Sequence, residues 1–171
     1  MRILISAYTG LGNFVLKTPV IKKLKELYPE AEIEIIAGNS YGAEFVLQGS
    51  DLISCTHVLK VEESFLKKAQ FFWEMRKKEY DAILLPFDAM PTFLIMGVLF
   101  QKGIKFAHIN YSLNKTIKQK IRNIVSVIGL PGFRFIPLLQ GRHEVDLNYD
   151  LLERFLDHPF KRDYQTMISV A

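Results

Sequence analysis

The residues best suited to chemistry follow a short apolar run near the N-terminus, and they are Gly10, Leu11, Gly12 and Asn13. Glycines at a strand end let backbone N–H groups approach an anion at a helix start, and they also build ordinary tight turns; the sequence leaves both interpretations open. The Asn13 amide can cap a helix or hydrogen-bond a substrate hydroxyl, but an amide accepts no proton near pH 7. If the turn binds a ligand, Asn13 does not act there as a general base.

Charged side chains at two other turns are further candidates for ligand contacts. Asp88 follows an apolar strand pattern, where its carboxylate either binds a ligand or caps the helix that begins near Pro91. Arg142 and His143 lie between a glycine and a helix pattern. They offer either two cationic donors to an anion or an ordinary solvated helix start.

The sequence argues against a dinucleotide cofactor and against a metal. Val15 stands where the dinucleotide fingerprint has its third glycine, and the second predicted strand ends in Ala37-Gly38-Asn39 with no acidic residue for a ribose. No Cys/His cluster has the spacing of metal ligands. The single cysteine, Cys55, is expected to be a small buried hydrophobic residue rather than a nucleophile. We therefore expect no cofactor and no metal.

The elements that must position these residues alternate between strand and helix patterns. This repeated order predicts an α/β fold with a Rossmann-like, doubly wound parallel sheet, and such sheets bind ligands at the carboxyl ends of their strands. The first helix either begins at Thr18-Pro19 or begins near Phe14 and kinks at Pro19. The predicted strands are 2–7, 32–37, 56–61, 81–86 and 103–109 with an extended segment at 133–138, and the predicted helices are 20–28, 41–48, 63–79, 92–100, 116–128 and 144–156.

Length, charge and hydropathy set the broad class of protein. A chain of 171 residues, 49% of them hydrophobic, predicts one globular domain. The net charge of +4 favours an anionic ligand or an acidic membrane face and is too small to argue for nucleic acid. The short apolar runs predict neither a signal peptide nor a membrane span, so we expect a cytoplasmic protein. Lys115, Lys118 and Arg122 share one predicted helix face, which is either solvated or docks on anionic lipid.

Several segments, in this order, resemble the lipopolysaccharide heptosyltransferases, which form glycosyltransferase family 9. The segments are 2–6, 10–13, 18–19, 24–29, 32–37, 79–83 and 142–145. The resemblance covers essentially the whole chain and rests on order and spacing rather than on any single motif. It implies the GT-B arrangement of two Rossmann-like domains. Residues 1–162 would form the N-terminal, acceptor-side domain, and residues 163–171 would begin the link to a C-terminal nucleotide-sugar domain.

The resemblance also implies roles for individual residues. Gly10 to Gly12 match the family loop that lies against the sugar donor, and His143 matches a histidine near the acceptor, where Arg142 adds a cation for a phosphate. Asn13 matches the place where well-studied members have an aspartate, the proposed general base. This departure argues against base catalysis by that residue. Asp88 has no firm counterpart in the family.

The implied whole protein is an inverting glycosyltransferase, without cofactor, that moves a sugar from a nucleotide sugar to an anionic lipopolysaccharide-type glycolipid or another glycan. Heptose is the sugar that the resemblance implies. This chain alone would be inactive and would contact the inner membrane peripherally. The runner-up is a non-catalytic ligand-binding domain of the same fold, a relative that has lost its base.

Overall fold

The computed structural model describes residues 1–8, 11–38, 50–60, 62–86, 92–109, 132–139 and 141–164. These residues form six strands, β1 (Arg2–Ser6), β2 (Glu32–Ala37), β3 (Cys55–Val58), β4 (Ala82–Leu85), β5 (Ile104–Ile109) and β6 (Phe133–Pro137). All pairings between them are parallel, in the order β3-β2-β1-β4-β5-β6. The predicted doubly wound parallel sheet is confirmed, and the segment predicted as merely extended is its sixth strand.

Five described helices cover the two faces of this sheet: α1 (Leu11–Val15), α2 (Thr18–Leu27), α3 (Phe65–Arg76), α4 (Thr92–Leu99) and α5 (Glu144–Leu156). Successive side chains of a strand point to opposite faces, so each central strand feeds two cores. Ile3 and Ile5 of β1 pack with α1, α2 and α5, whereas Leu4 packs with α3 and α4. Burial on both faces explains why the central strands are continuous apolar runs.

The first predicted helix is α2, which begins at Thr18, and a separate short helix, α1, precedes it where the sequence predicts a turn. The chain turns at Leu16 and Lys17, so that Pro19 falls in the first turn of α2, where a missing N–H costs nothing. Lys17 rather than Thr18 is the N-cap residue, and the Thr18 hydroxyl donates to the carbonyl of Val15 at 2.7 Å. Asn13 lies inside α1, so the prediction that it caps a helix is wrong.

One sequence-based expectation about burial is also wrong. Cys55 is exposed rather than buried, because it opens the edge strand β3, whose burial is only partial along its length. The predicted helices 41–48 and 116–128, and with the latter Lys115, Lys118 and Arg122, lie outside the described residues.

A glycine sets the entry to β5. Gly103 has φ +89°, and a Cβ at this position would collide with the backbone carbonyl of Tyr80. The next residue, Ile104, donates its N–H to the carbonyl of Asp81 at 3.1 Å, which starts the pairing of β5 with β4. Gly103 therefore meets both a conformational and a steric requirement.

We predict that Gly103→Ala destabilises the fold more than Gly141→Ala. Gly141 also has positive φ, +78°, but no atom of a described residue lies within 4 Å of a Cβ built there. Gly141→Ala should cost about 1–2 kcal/mol from backbone conformation alone. Gly103→Ala should cost at least about 1 kcal/mol more, from the collision. Urea denaturation of both variants measures this, and equal losses would contradict the steric argument.

Candidate functional site

The candidate site lies where the order of strands reverses. β1 pairs with β2 on one side and with β4 on the other. After β1 the chain enters α1 and α2 on one face of the sheet, and the helix that follows β4, α4, packs on the opposite face. The connections thus diverge at the carboxyl ends of β1 and β4, which is where open α/β sheets leave a crevice for ligands.

Helix α1 presents a small exposed surface at this edge. Phe14 anchors the helix, with 1% of its surface exposed, while Leu11, Gly12 and Asn13 face solvent. Within the part of the chain that the structure describes, no atom lies within 4 Å of a Cβ built on Gly12. Among the described residues, none hydrogen-bonds the Asn13 side chain, which leaves its amide available to a ligand. Gly10 and Asp88 lie outside the described residues, and their predicted roles stay predictions.

The turn that follows α1 contains a buried lysine that the sequence analysis did not single out. Lys17, the N-cap residue of α2, has 1% of its surface exposed. Its Nζ lies 3.5 Å from Oε1 of Glu144, the first residue of α5. A carboxylate in the first turn of a helix also complements the helix dipole. The contact joins the α1–α2 turn to the start of α5.

A second contact reinforces this junction. Asn148 of α5 is buried, and its amide Nδ2 donates to the carbonyl of Leu16 at 3.3 Å. Leu16 lies in the turn between α1 and α2, so its carbonyl belongs to neither helix. The turn that follows α1, three residues after Asn13, and the helix that follows Arg142 and His143 are therefore held together.

Arg142 and His143 lie at the exposed start of α5, as predicted, but both have structural partners. His143 is the N-cap, and its Nδ1 accepts a hydrogen bond from the N–H of Val145 at 3.3 Å. Arg142 pairs with Asp150 at 2.7 Å and lies 3.9 Å from Asp146. An anionic ligand here would have to compete with these carboxylates for the guanidinium.

A buried histidine lies behind the same helix. His108, near the carboxyl end of β5, is 9% exposed, and neither ring nitrogen makes a hydrogen bond of normal geometry to a described residue. Burial is the main cause that lowers the pKa of His108 to about 4. The Asp150 carboxylate and a hydrogen bond with the Leu147 backbone raise this pKa by smaller amounts, and the Lys17 ammonium lowers it. His108 is therefore a neutral imidazole near pH 7, next to the charged pairs of α5.

This histidine predicts a pH dependence of stability. Its folded pKa of about 4 lies below its ordinary value of 6.5, so the unfolded chain binds the extra proton first. The contribution of this histidine to stability is present in full above pH 6.5 and falls as the pH drops towards 4, by about 3 kcal/mol. Urea denaturation of the wild type and His108→Leu at several pH values measures the difference.

The control for this experiment is His158→Leu, which changes an exposed histidine. It should keep the wild-type pH slope, whereas His108→Leu should flatten the slope between pH 6.5 and 4. An unchanged slope in His108→Leu would show that the buried imidazole is not the group responsible.

Two kinds of feature are not found within the described ranges. No helix there combines the length and the apolar character needed to cross a bilayer. The described residues also hold no group of three or more His, Cys, Asp and Glu side chains arranged to bind a metal ion.

Comparison with solved structures places the fold among glycosyltransferases. A family 9 glycosyltransferase from Veillonella parvula superposes with a TM-score of 0.71 and 16% identity, over 99% of this chain and 45% of that one. E. coli heptosyltransferase WaaC, solved with ADP-2-deoxy-2-fluoro heptose, superposes with a TM-score of 0.69 and 13% identity, over 96% of this chain and 52% of that one. For E. coli ADP-heptose lipopolysaccharide heptosyltransferase II the TM-score is 0.61 and the identity 16%, over 100% of this chain and 47% of that one.

No protein-family model and no curated protein sequence matches the chain. The chain spans about half the length of the solved structures that it matches. Identities this low establish the fold and leave the reaction to be argued from the site. The chain therefore has the α/β fold of about half of each of these GT-B glycosyltransferase structures, in agreement with the family that its sequence resembles.

Proposed function

We propose that this chain is the acceptor-side domain of an inverting glycosyltransferase that uses a nucleotide sugar. The observation that carries the proposal is the exposed α1 surface at the strand-order reversal, within a fold shared with heptosyltransferases over 96% of the chain or more. The WaaC structures contain ADP or an ADP-heptose analogue. Their ligands support ADP-heptose as the first donor to test.

In the proposed reaction, an acceptor hydroxyl oxygen bonds to the anomeric carbon of the donor while the bond from that carbon to the nucleoside diphosphate breaks. The hydroxyl proton must go to a base, and the diphosphate leaves with the electron pair. In-line displacement depends on positioning and on charge stabilisation. This domain would contribute positioning at the α1 surface, and a second domain would hold the nucleotide.

Asn13 has a defined part in this scheme. Its exposed amide can accept a hydrogen bond from the acceptor hydroxyl and donate one to a neighbouring sugar oxygen. It cannot take the proton, so that step belongs to another group or to water.

Lys17 is too deeply buried to contact an acceptor, with 1% of its surface exposed. We assign it the role of a positioning residue, which holds the turn behind Asn13 against α5.

The acceptor in this proposal is an anionic glycolipid or glycan. The net charge of +4 and the exposed residues Arg142 and His143 favour an anionic group at this edge. The second candidate function is a non-catalytic binding domain of the same fold. The amide of Asn13, at a position where the resemblance leads us to expect a carboxylate, favours that alternative.

We predict that the chain by itself binds nucleotide sugars weakly or not at all. Its glycine turn lacks the third glycine of a dinucleotide site, and the proposal places the donor pocket in a second domain. Calorimetric titration with ADP, UDP and GDP sugars measures this. Micromolar affinity for any of them would contradict the assignment of this chain to the acceptor side.

We predict that Asn13→Asp raises sugar transfer or leaves it nearly unchanged in a protein that joins this chain to a nucleotide-sugar domain. A carboxylate at this position supplies a base, and general-base catalysis is worth roughly 10²–10⁴ in rate. Asn13→Ala should lower transfer through lost orientation of the acceptor. Transfer measured against pH for the wild type and both variants is the experiment.

Stability is the control for these variants. Because Asn13 is exposed and caps no helix, both substitutions should change the free energy of unfolding by less than about 0.5 kcal/mol. A large loss of transfer in Asn13→Asp at unchanged stability would mean that the N–H₂ donor of the amide is required. It would contradict the hypothesis that Asn13 occupies a position where a carboxylate can act as the base. No transfer in the wild type or in Asn13→Asp would favour the binding domain.

A further inference from the structure

The transfer reaction needs a base for the acceptor proton, and the amide of Asn13 cannot be that base. Carboxylates and imidazoles are the side chains that accept a proton near neutral pH. To act in the reaction, such a group has to lie beside the α1 surface, where the acceptor is oriented. The described residues next to the turn after α1 include one carboxylate in this position, that of Glu144.

Glu144 lies on the face of α5 that meets the turn after α1. Helix α5 follows β6 and so begins at the carboxyl edge of the parallel sheet. Glu144 and Asn148 are four residues apart, so their side chains share one face of the helix. Asn148 contacts Leu16, and Glu144 contacts Lys17. These contacts hold the Glu144 carboxylate beside the helix that carries Asn13.

Only one oxygen of this carboxylate has a partner among the described residues. Oε1 of Glu144 lies 3.5 Å from Nζ of Lys17, which is a long contact, and no described residue donates a hydrogen bond to Oε2. The Glu144 side chain is 19% exposed, so solvent reaches the carboxylate. A catalytic base needs this arrangement, in which one contact fixes the group and a lone pair stays open to the reacting hydroxyl.

The other proton acceptors in the first two turns of α5 have closer partners. Asp146 accepts a hydrogen bond from Arg162 at 3.0 Å. Asp150 pairs with two guanidinium groups, each at 2.7 Å. His143 uses its Nδ1 in the helix cap. Of the three carboxylates, that of Glu144 therefore has the weakest contacts and the most freedom to meet a substrate.

We propose that Glu144 is the general base of the sugar transfer, an assignment that rests on the proposed function. The acceptor hydroxyl gives its proton to Oε2 of Glu144 while the hydroxyl oxygen bonds to the anomeric carbon. The bond from that carbon to the diphosphate breaks, and the electron pair leaves with the diphosphate. Glu144 then releases the proton to solvent. Asn13 orients the same hydroxyl from α1.

The variant Glu144→Gln tests this assignment in a protein that joins this chain to a nucleotide-sugar domain, with ADP-heptose and a water-soluble acceptor oligosaccharide. The amide keeps the size of the side chain and an oxygen for Lys17, but it takes no proton. General-base catalysis is worth roughly 10²–10⁴ in rate, so kcat should fall about a hundredfold or more. KM should stay within about threefold of the wild-type value.

The pH profile distinguishes a base from a residue that only holds the fold. The wild-type rate should decline at acid pH, where the base is protonated, and this decline should be absent in Glu144→Gln. The matched control is Glu74→Gln, since Glu74 is an exposed glutamate that pairs with Lys77 at 2.7 Å on α3, on the opposite face of the sheet. The control should keep the wild-type rate and profile. Urea denaturation checks that both variants are folded.

A second readout uses the 171-residue chain by itself and needs no transfer. In NMR spectra of the chain labelled with ¹³C at the glutamate carboxyl carbons, the Glu144 signal should shift when a phosphorylated oligosaccharide of the lipopolysaccharide core type is added. The Glu74 signal should not shift. Spectra of Glu144→Gln and Glu74→Gln assign the two signals.

Three results would overturn the assignment of Glu144 and leave the proposed function intact, provided that the wild type transfers sugar. The first is a Glu144→Gln rate within about threefold of the wild type. The second is a large loss in Glu144→Gln that keeps the acid decline, or a decline that disappears in His143→Gln instead. The third is an unchanged Glu144 signal at saturating oligosaccharide. No transfer in the wild type would contradict the proposed function itself, and the assignment with it.

Discussion

The structure depends on the position of β1, a strand buried on both faces and paired on both sides. Its residues Ile3, Leu4 and Ile5 pair with β2 and β4 in parallel and fill both cores. The backbone polar groups of such a strand are used within the sheet. Ligands can therefore contact only the connections at the carboxyl end of this strand. There the helices after β1 pack on one face of the sheet and the helix after β4 packs on the other. The position of the candidate site follows from this constraint.

The buried polar groups near the candidate site hold its elements in position and do not contact a ligand themselves. Lys17, Asn148 and His108 are buried, and their contacts run between the turn after α1, the start of α5 and the end of β5. Burying an ammonium and a carboxylate together contributes little net stability, because desolvation offsets their attraction. We attribute to the Lys17–Glu144 pair the task of holding α1 in one position relative to α5. A site that orients an acceptor hydroxyl needs such a fixed frame.

The sequence predicted the parts of this fold where local and global signals agree. The bounds of β2 and α5 are as predicted, because alternation, a following glycine and a helix-breaking proline mark them directly. The break between α1 and α2 was placed less well, since Pro19 is compatible with several helix starts. The exposure of Cys55 was missed because edge position is a property of the sheet order, which short strand patterns do not specify.

The candidate site likewise contains features that local sequence predicts and features that it does not. The position of residues 11–13 after the first strand and the helix start at His143 were predictable from local sequence, whereas the burial of Lys17 and His108 depends on the packing of α5 against distant residues. No spacing rule in the sequence joins positions more than a hundred residues apart. The exposure of Phe65, Leu66 and Trp73 on α3 was also not predictable, because these residues continue the helical spacing of the buried residues Phe72 and Met75.

The central claim is that ligands meet this domain at the carboxyl edge of its sheet, between α1 and the start of α5. The most direct measurement is amide hydrogen–deuterium exchange of the chain with and without a phosphorylated oligosaccharide of the lipopolysaccharide core type. The account predicts slower exchange in residues 11–16 and 142–146 and unchanged exchange at the opposite edge, in residues 28–31 and 77–81. Slower exchange confined to that opposite edge, or no change at saturating oligosaccharide, would contradict it.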